Sequence, residues 1–222
     1  PPPCPTTSAL SVPSQPTRTN LHALRNAARK ETRALAEERA KHPFDDIETA
    51  PLDYLPKAWS EPYGTLQDTV YEVYDLQAIR IDGAAEHPTA LVQSAAMASV
   101  PPPVPSYRPV LPKTLVRDGL LSAPQLESVI YAGNAHETHL KGLFKRGEIE
   151  GQLIAAAEGD EGAFRLRKGW FLGDGTGCGK GRQVAGIILD NWLQGRRRAV
   201  WVSKSDKLIE DARRDWMALG GR

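Results

Sequence analysis

Residues 171 to 192 read FLGDGTGCGKGRQVAGIILDNW, and four glycines and a lysine fill positions 175–181 between two apolar runs. A glycine-dense turn is costly in backbone entropy, so a chain keeps one where something must approach the backbone closely. The flanks restrict the fold further. Upstream, AFRLRKGWFLGD (Ala163–Asp174) reads as a strand; downstream, Lys180–Trp192 reads as a helix with Val184, Ile187, Ile188 and Asn191 facing a sheet. RRRAVWVS then reads as a second strand. SDKLIEDARRDWMALGG reads as a second helix, N-capped by Ser205 or Asp206 and C-capped by Gly220 or Gly221. Strand, turn, helix, strand, helix within sixty residues predicts an α/β fold with a parallel sheet and crossover helices.

A turn between a strand and a helix N-terminus collects unpaired N–H groups and the positive end of the helix dipole. Glycines at 175, 177 and 179 let successive N–H groups curl around an anion, and Lys180 adds a charge where terminal phosphates would lie. That is the logic of a phosphate-binding P-loop, here spanning Gly175, Thr176, Gly177, Cys178, Gly179, Lys180, Gly181 and Arg182. Cys178 is expected to serve through its backbone. The strict pattern G-x-x-x-x-G-K-[ST] asks for glycine at 174 and a hydroxyl at 181, where this chain has Asp174 and Gly181. The hydroxyl usually ligates Mg²⁺. No residue is therefore assigned to the metal, and Mg²⁺ is expected to be held by phosphates and by an acid outside this chain. A ligand-free glycine turn is the plainer alternative.

The stretch GWFLGDGTGCGKGRQVAGIILDNWLQGRRRAVWVSKSDKLIEDARRDW closely resembles the nucleotide-binding core of the Strawberry notch family, relatives of superfamily-2 helicases. The resemblance runs from about Ser60 to Arg222 and is strongest to bacterial members, some of which carry an upstream methyltransferase-like region. In that family the place of Gly181 is also glycine. The resemblance implies an incomplete RecA-like lobe, ATP and Mg²⁺ as cofactors, and helicase-like ATP hydrolysis with Lys180 as the catalytic lysine. LSAPQLESVIYA looks like a helicase Q motif, which assigns Gln125 to the adenine edge; an amide both donates and accepts, as adenine requires. Tyr107 either stacks on the base or anchors a proline-rich segment. VWVSKSDKL stands at motif Ia, where Ser203 and Lys204 either touch nucleic-acid phosphates or form a solvated loop. No apolar run ends in Asp-Glu, and Asp190 on the P-loop helix is not a Walker B acid. In the family a D-E-A-H box and a second lobe lie further along, so this chain alone is expected not to turn over ATP. A different P-loop enzyme, such as a kinase, and a non-catalytic interaction fragment remain the competing classes.

Charge bears on the partner. The chain carries a formal +1, but Ala163–Arg222 holds 13 basic and 6 acidic residues, a local balance of +7. Weak, sequence-indifferent DNA binding is expected there. GRRR (195–198) either grips nucleic acid or complements a helix C-terminus. HETH (136–139) lacks zinc-motif spacing. The two cysteines, Cys4 and Cys178, form no disulfide framework, which together with the absence of a signal pattern favours a reducing, cytoplasmic setting; that the cytoplasm is a bacterial one is what the resemblance implies. No apolar run reaches the roughly 18 residues of a membrane span.

The rest of the chain divides into a linker (1–18), a helical and irregular region (19–106) and the ATPase part (107–222). Thr19–His42 reads as a helix; 43–82 gives a mixed signal, within which YEVYDLQAIRI (71–81) reads either as a strand pair or as a short helix and strand. His87–Val100 reads as a helix before PPPVP, and Ser122 as the N-cap of a helix bearing Leu126, Val129, Ile130 and Ala132. Glu137–Gly162 carries no clear signal.

Overall fold

The computed structural model describes residues 29–30, 44, 46–60 and 70–221. The chain divides into two units after residue 42, and every element named below belongs to the second. The linker over 1–18 and the helix expected over Thr19–His42 lie outside the described residues, except that residues 29 and 30 are helical.

Among the described residues eight short strands form pairs: β1 (Thr49–Pro51) with β6 (Val110–Pro112), β2 (Leu55–Pro56) with β4 (Ile79–Arg80), β3 (Tyr71–Val73) with β5 (Val92–Ser94), and β7 (Leu143–Arg146) with β8 (Leu153–Ala156). All four ladders are antiparallel. Among the described residues of this second unit five helices accompany them: α1 (Ala95–Ala98), α2 (Lys113–Arg117), α3 (Ala123–Glu137), α4 (Lys180–Leu193) and α5 (Lys207–Ala218).

The expected parallel sheet is not formed among the described residues. Ala163–Asp174 makes only isolated bridges at Phe164 and Arg167, and 196–203 has no strand. Both segments are apolar enough for a strand, yet Phe171 is 88% exposed, Val200 90% and Val202 86%. A strand exists only beside a partner that takes its N–H and C=O groups; residues 138–144 pair in places with 164–168, and among the described residues no ladder runs along 169–174 or 196–203. Trp201, within the expected second strand, is exposed for the same reason.

His87–Val100 also differs from expectation. Its first half pairs as β5 with β3, and only Ala95–Ala98 is helical, capped by the Ser94 hydroxyl accepting from the Met97 N–H. Glu137–Gly162, silent in the sequence, contains the β7–β8 ladder.

The helices follow the sequence more closely. At α3 a capping box forms, in which the Gln125 side chain accepts from the Ser122 N–H and Pro124 sits in the first turn. Leu126, Val129, Ile130 and Ala132 are all buried. Helix α4 forms where expected, but a different face is buried. Gln183, Ala185, Gly186, Leu189 and Asp190 turn inward, while Val184, Ile187 and Ile188 are half-buried. Gly186 explains the choice: a methyl added there would stand 3.0 Å from Val129 and 3.2 Å from Leu121, so α3 and α4 meet closely at a residue without a side chain. Gly220 follows the end of α5 with a left-handed φ of 94°.

One core joins residues on both sides of position 107. Tyr54, Ile79 and Leu115 pack with Ile130, Leu189 and Leu219. Each fully buried aliphatic side chain of this kind stabilises by about 2 kcal/mol. Phe44 meets Trp216 of α5 edge-on, ring centroids 5.6 Å apart.

Candidate functional site

The glycine loop ends in Gly179, which caps α4 with φ 70°, and Gly177 also has a positive φ of 95°. A side chain at 179 would be strained by that backbone and would strike the Gln125 amide. Lys180 folds back across the loop: its Nζ donates to the carbonyls of Asp174 at 2.8 Å and Gly175 at 2.7 Å. The ammonium is thus held over the mouth of the turn by two neutral acceptors, partners that an anionic phosphate would outcompete.

Two glutamines set the loop's shape from beneath. Gln183 is buried, and its Nε2 donates to the Asp174 carboxylate (2.9 Å) and the Cys178 carbonyl (3.0 Å). Gln125 is buried too, and its Nε2 donates to the same Cys178 carbonyl at 3.3 Å. The sequence pointed to Gln125 but not to Gln183, which stands three places after the lysine and outside the set of residues expected to face a sheet. Cys178 is half-buried, with a free thiol. Thr176 and Gly175 are exposed, Gly181 and Arg182 half-buried.

A cavity of about 350 Å³ lies against the loop, lined by Tyr74, Gln93, Met97, Ser128, Gly175 and Cys178 among others. Beside it Glu127 is buried on α3, with the Tyr74 hydroxyl donating to its Oε2. Burial pushes the Glu127 carboxyl up to about 7, and the neighbouring charges of Asp75 and Asp174 push the same way. Nothing in the local sequence marks Glu127, since a lone acid between Leu126 and Ser128 reads as solvent-facing.

Tyr107 lies elsewhere. It is 4% exposed, and its ring occupies the space where a side chain on Gly133 of α3 would begin, so it is packed into the fold and not open to a stacking base. Its hydroxyl donates to the Asp190 carboxylate at 2.5 Å, and the Gln194 amide donates to that hydroxyl. Asp190 also accepts from the Val110 N–H (2.8 Å) and from Gln194 (2.7 Å), so it is an internal junction between α4 and β6. Of the two readings offered by the sequence for Tyr107, anchoring is the one its surroundings match.

Ser203 is half-buried and Lys204 exposed, in the irregular segment before α5. Arg196 and Arg197 turn back on the end of α4: Arg196 Nε donates to the Asn191 side chain at 2.6 Å, and the Arg197 guanidinium sits 5.4 Å from the Trp192 ring centre. Among the described residues no group of three or more His, Cys, Asp or Glu could hold a metal ion, and no helix is long and apolar enough to cross a membrane.

Comparison with known proteins bears on the loop directly. The family described as P-loop containing NTP hydrolase pore-1 matches residues 86–222, more than half of the chain and the whole of the glycine loop. The chain belongs to that family. Within the P-loop NTP hydrolases it is similar to Strawberry notch proteins. It is 43% identical over 134 residues to the Caenorhabditis elegans protein strawberry notch homolog, covering 60% of this chain and 6% of that protein. It is 38% identical over 144 residues to protein strawberry notch homolog 1 of Gallus gallus (65% and 10%), and 38% identical over 134 residues to protein FORGETTER 1 of Arabidopsis thaliana (60% and 9%). The chain spans a tenth or less of the length of these relatives. No solved structure matches it.

Proposed function

We propose that this chain is the ATP-binding part of a DNA-dependent, helicase-like ATPase of the Strawberry notch type. The observation that carries the reading is the loop itself. Gly177 and Gly179 turn the backbone with positive φ onto the N-terminus of α4, Gln125 and Gln183 tether the Cys178 carbonyl from below, and Lys180 waits on two carbonyls above. Such a cradle supplies N–H donors and one mobile cation, the two things a triphosphate tail needs.

In this reading the N–H groups of residues 175–181 hold the phosphates, and Lys180 swings from its carbonyls to the β/γ-phosphates. The base enters the cavity beside the loop, where Tyr74, Met97 and Ser128 offer apolar surface and a hydroxyl. Mg²⁺, when bound with ATP, spreads the negative charge of the phosphates. Hydrolysis needs a Walker B acid and arginine fingers from the rest of a full-length protein, including a second helicase lobe, so the part described here binds without turning over. DNA is contacted weakly and without sequence preference through the basic segment with Ser203 and Lys204. The residues at 107–222 form the ATPase part in this reading, an upstream methyltransferase-like region belongs to the full-length protein, and the setting is a bacterial cytoplasm.

Calorimetry with ATP and ADP tests the reading. Lys180→Ala should weaken ATP more than ADP, because the ammonium acts mainly on the outer phosphates. Equal ATP affinity in wild type and variant would remove the P-loop assignment.

A further inference from the structure

Position 181 follows the P-loop lysine and has no side chain, yet the space beside it is filled. Helix α5 places Asp215 there. A methyl group built on Gly181 would fall on Asp215 Oδ2, with Cγ 3.0 Å and Cβ 3.6 Å away. A carboxylate oxygen from a helix nearly thirty-five residues further on therefore occupies the region that a hydroxyl at 181 would fill. The Asp215 side chain is 17% exposed and is held by Arg214 of its own helix, Nη2 to Oδ1 3.6 Å.

This position has an electrostatic consequence. An anion beside a phosphate cradle repels the ligand that the cradle is shaped for, unless a cation stands between them. Mg²⁺ is such a cation: a hard ion bound by one or two carboxylates together with substrate phosphates, retaining several waters. The donor present fits that ion. We propose that Asp215 is a magnesium ligand of the nucleotide site, supplied by α5 in place of the hydroxyl that Gly181 lacks. The proposal rests on the nucleotide-binding reading above. It also replaces the expectation from sequence that every protein ligand to Mg²⁺ lies outside this chain. Gly181 then has a reason of its own: any side chain there would displace the carboxylate.

Titration of ATP into the chain with and without Mg²⁺, followed by calorimetry, tests the assignment, with Mn²⁺ replacing Mg²⁺ in a parallel spectroscopic measurement of bound metal. In wild type Mg²⁺ should tighten ATP about tenfold or more, and Asp215→Asn should lose most of that gain. The same variant should bind metal-free ATP more tightly than wild type does, because the repulsion is gone. A purely structural role for Asp215 beside the helix N-terminus predicts the opposite, weaker metal-free binding. The double variant Gly181→Ser, Asp215→Ala puts a hydroxyl where the carboxylate was and should recover both the Mg²⁺ gain and the bound Mn²⁺ signal. It also decides the matter should the single variant fold poorly. ATP binding that Mg²⁺ strengthens equally in wild type and Asp215→Asn, or a double variant that folds without recovering the gain, overturns the Asp215 assignment and leaves nucleotide binding standing. A wild type that binds no nucleotide in either condition overturns both.

Discussion

The Gln125 amide joins the start of α3 to the phosphate loop: Oε1 accepts from the Ser122 N–H at 3.0 Å, and Nε2 donates to the Cys178 carbonyl at 3.3 Å. One side chain thus closes a helix cap and supports a loop 53 residues away. Gln125→Glu separates the two duties, since a carboxylate can still accept at the cap but has no proton for Cys178. It should leave thermal stability within about 1 kcal/mol of wild type, the net worth of one hydrogen bond, while weakening ATP. The ratio of ATP to GTP affinity then reports on adenine recognition. A changed ratio supports base reading by Gln125, and equal loss for both nucleotides assigns it to the loop alone.

Asp190 should behave as a structural residue. It is 1% exposed and accepts from Tyr107, Val110 and Gln194. Asp190→Ala leaves these donors buried without a partner and should cost about 2–4 kcal/mol in urea denaturation. Tyr107→Phe removes one donor and should cost about 1–2 kcal/mol with ATP affinity unchanged. A loss of ATP affinity in folded Tyr107→Phe would return that tyrosine to the nucleotide.

Glu127 makes stability depend on pH in a direction opposite to an ion-paired acid. Burial raises its carboxyl from the ordinary 4.5 to about 7. Between those values the folded chain keeps a proton that the unfolded chain releases. The contribution is therefore complete below pH 4.5 and is lost as pH rises through about 7. At ~1.36 kcal/mol per pH unit the loss approaches about 3 kcal/mol. Glu127→Gln should flatten this part of the profile and be the more stable protein at pH 8. Parallel profiles for the two proteins from pH 4 to 8 would exclude Glu127 as the titrating group.

Binding to DNA should fall with salt and ignore sequence. Neutralising some three or four phosphates gives a log–log slope of about −2 to −4. Lys204→Ala should shallow it by about one if that exposed lysine meets a phosphate. An unchanged slope assigns Lys204 to a solvated loop, and salt-insensitive binding removes the electrostatic account.

Local signals in the sequence were the ones that survived folding. Ser122 as a helix N-cap, the start of α4 at Lys180, and Gly220 after an amphipathic run each act within one turn of chain, and each stands where it was read. The buried face of α4 was misread because apolar spacing selects Val184, Ile187 and Ile188. What lies inward is Gln183 and Asp190, polar groups whose partners are a loop carbonyl and a tyrosine 83 residues away. No periodicity can register a partner at that distance. The segments at 163–174 and 196–203 were read as strands from composition alone, but strand structure belongs to a pair of segments. Glu127 and Asp215 were missed for a related reason: an acid reads as surface until its neighbours in space are known.

Gly133 and Tyr107 are a final case of two residues acting as one. The ring of Tyr107 occupies the space where a side chain on Gly133 would begin. A glycine in mid-helix gives up about 1 kcal/mol of helix propensity against alanine, yet any substitution there evicts the ring and, with it, the hydroxyl that Asp190 accepts from. Through descent the two positions should therefore change together. A larger residue at 133 should be tolerated only in lineages where 107 has first become small, and those lineages should also have altered the carboxylate at 190.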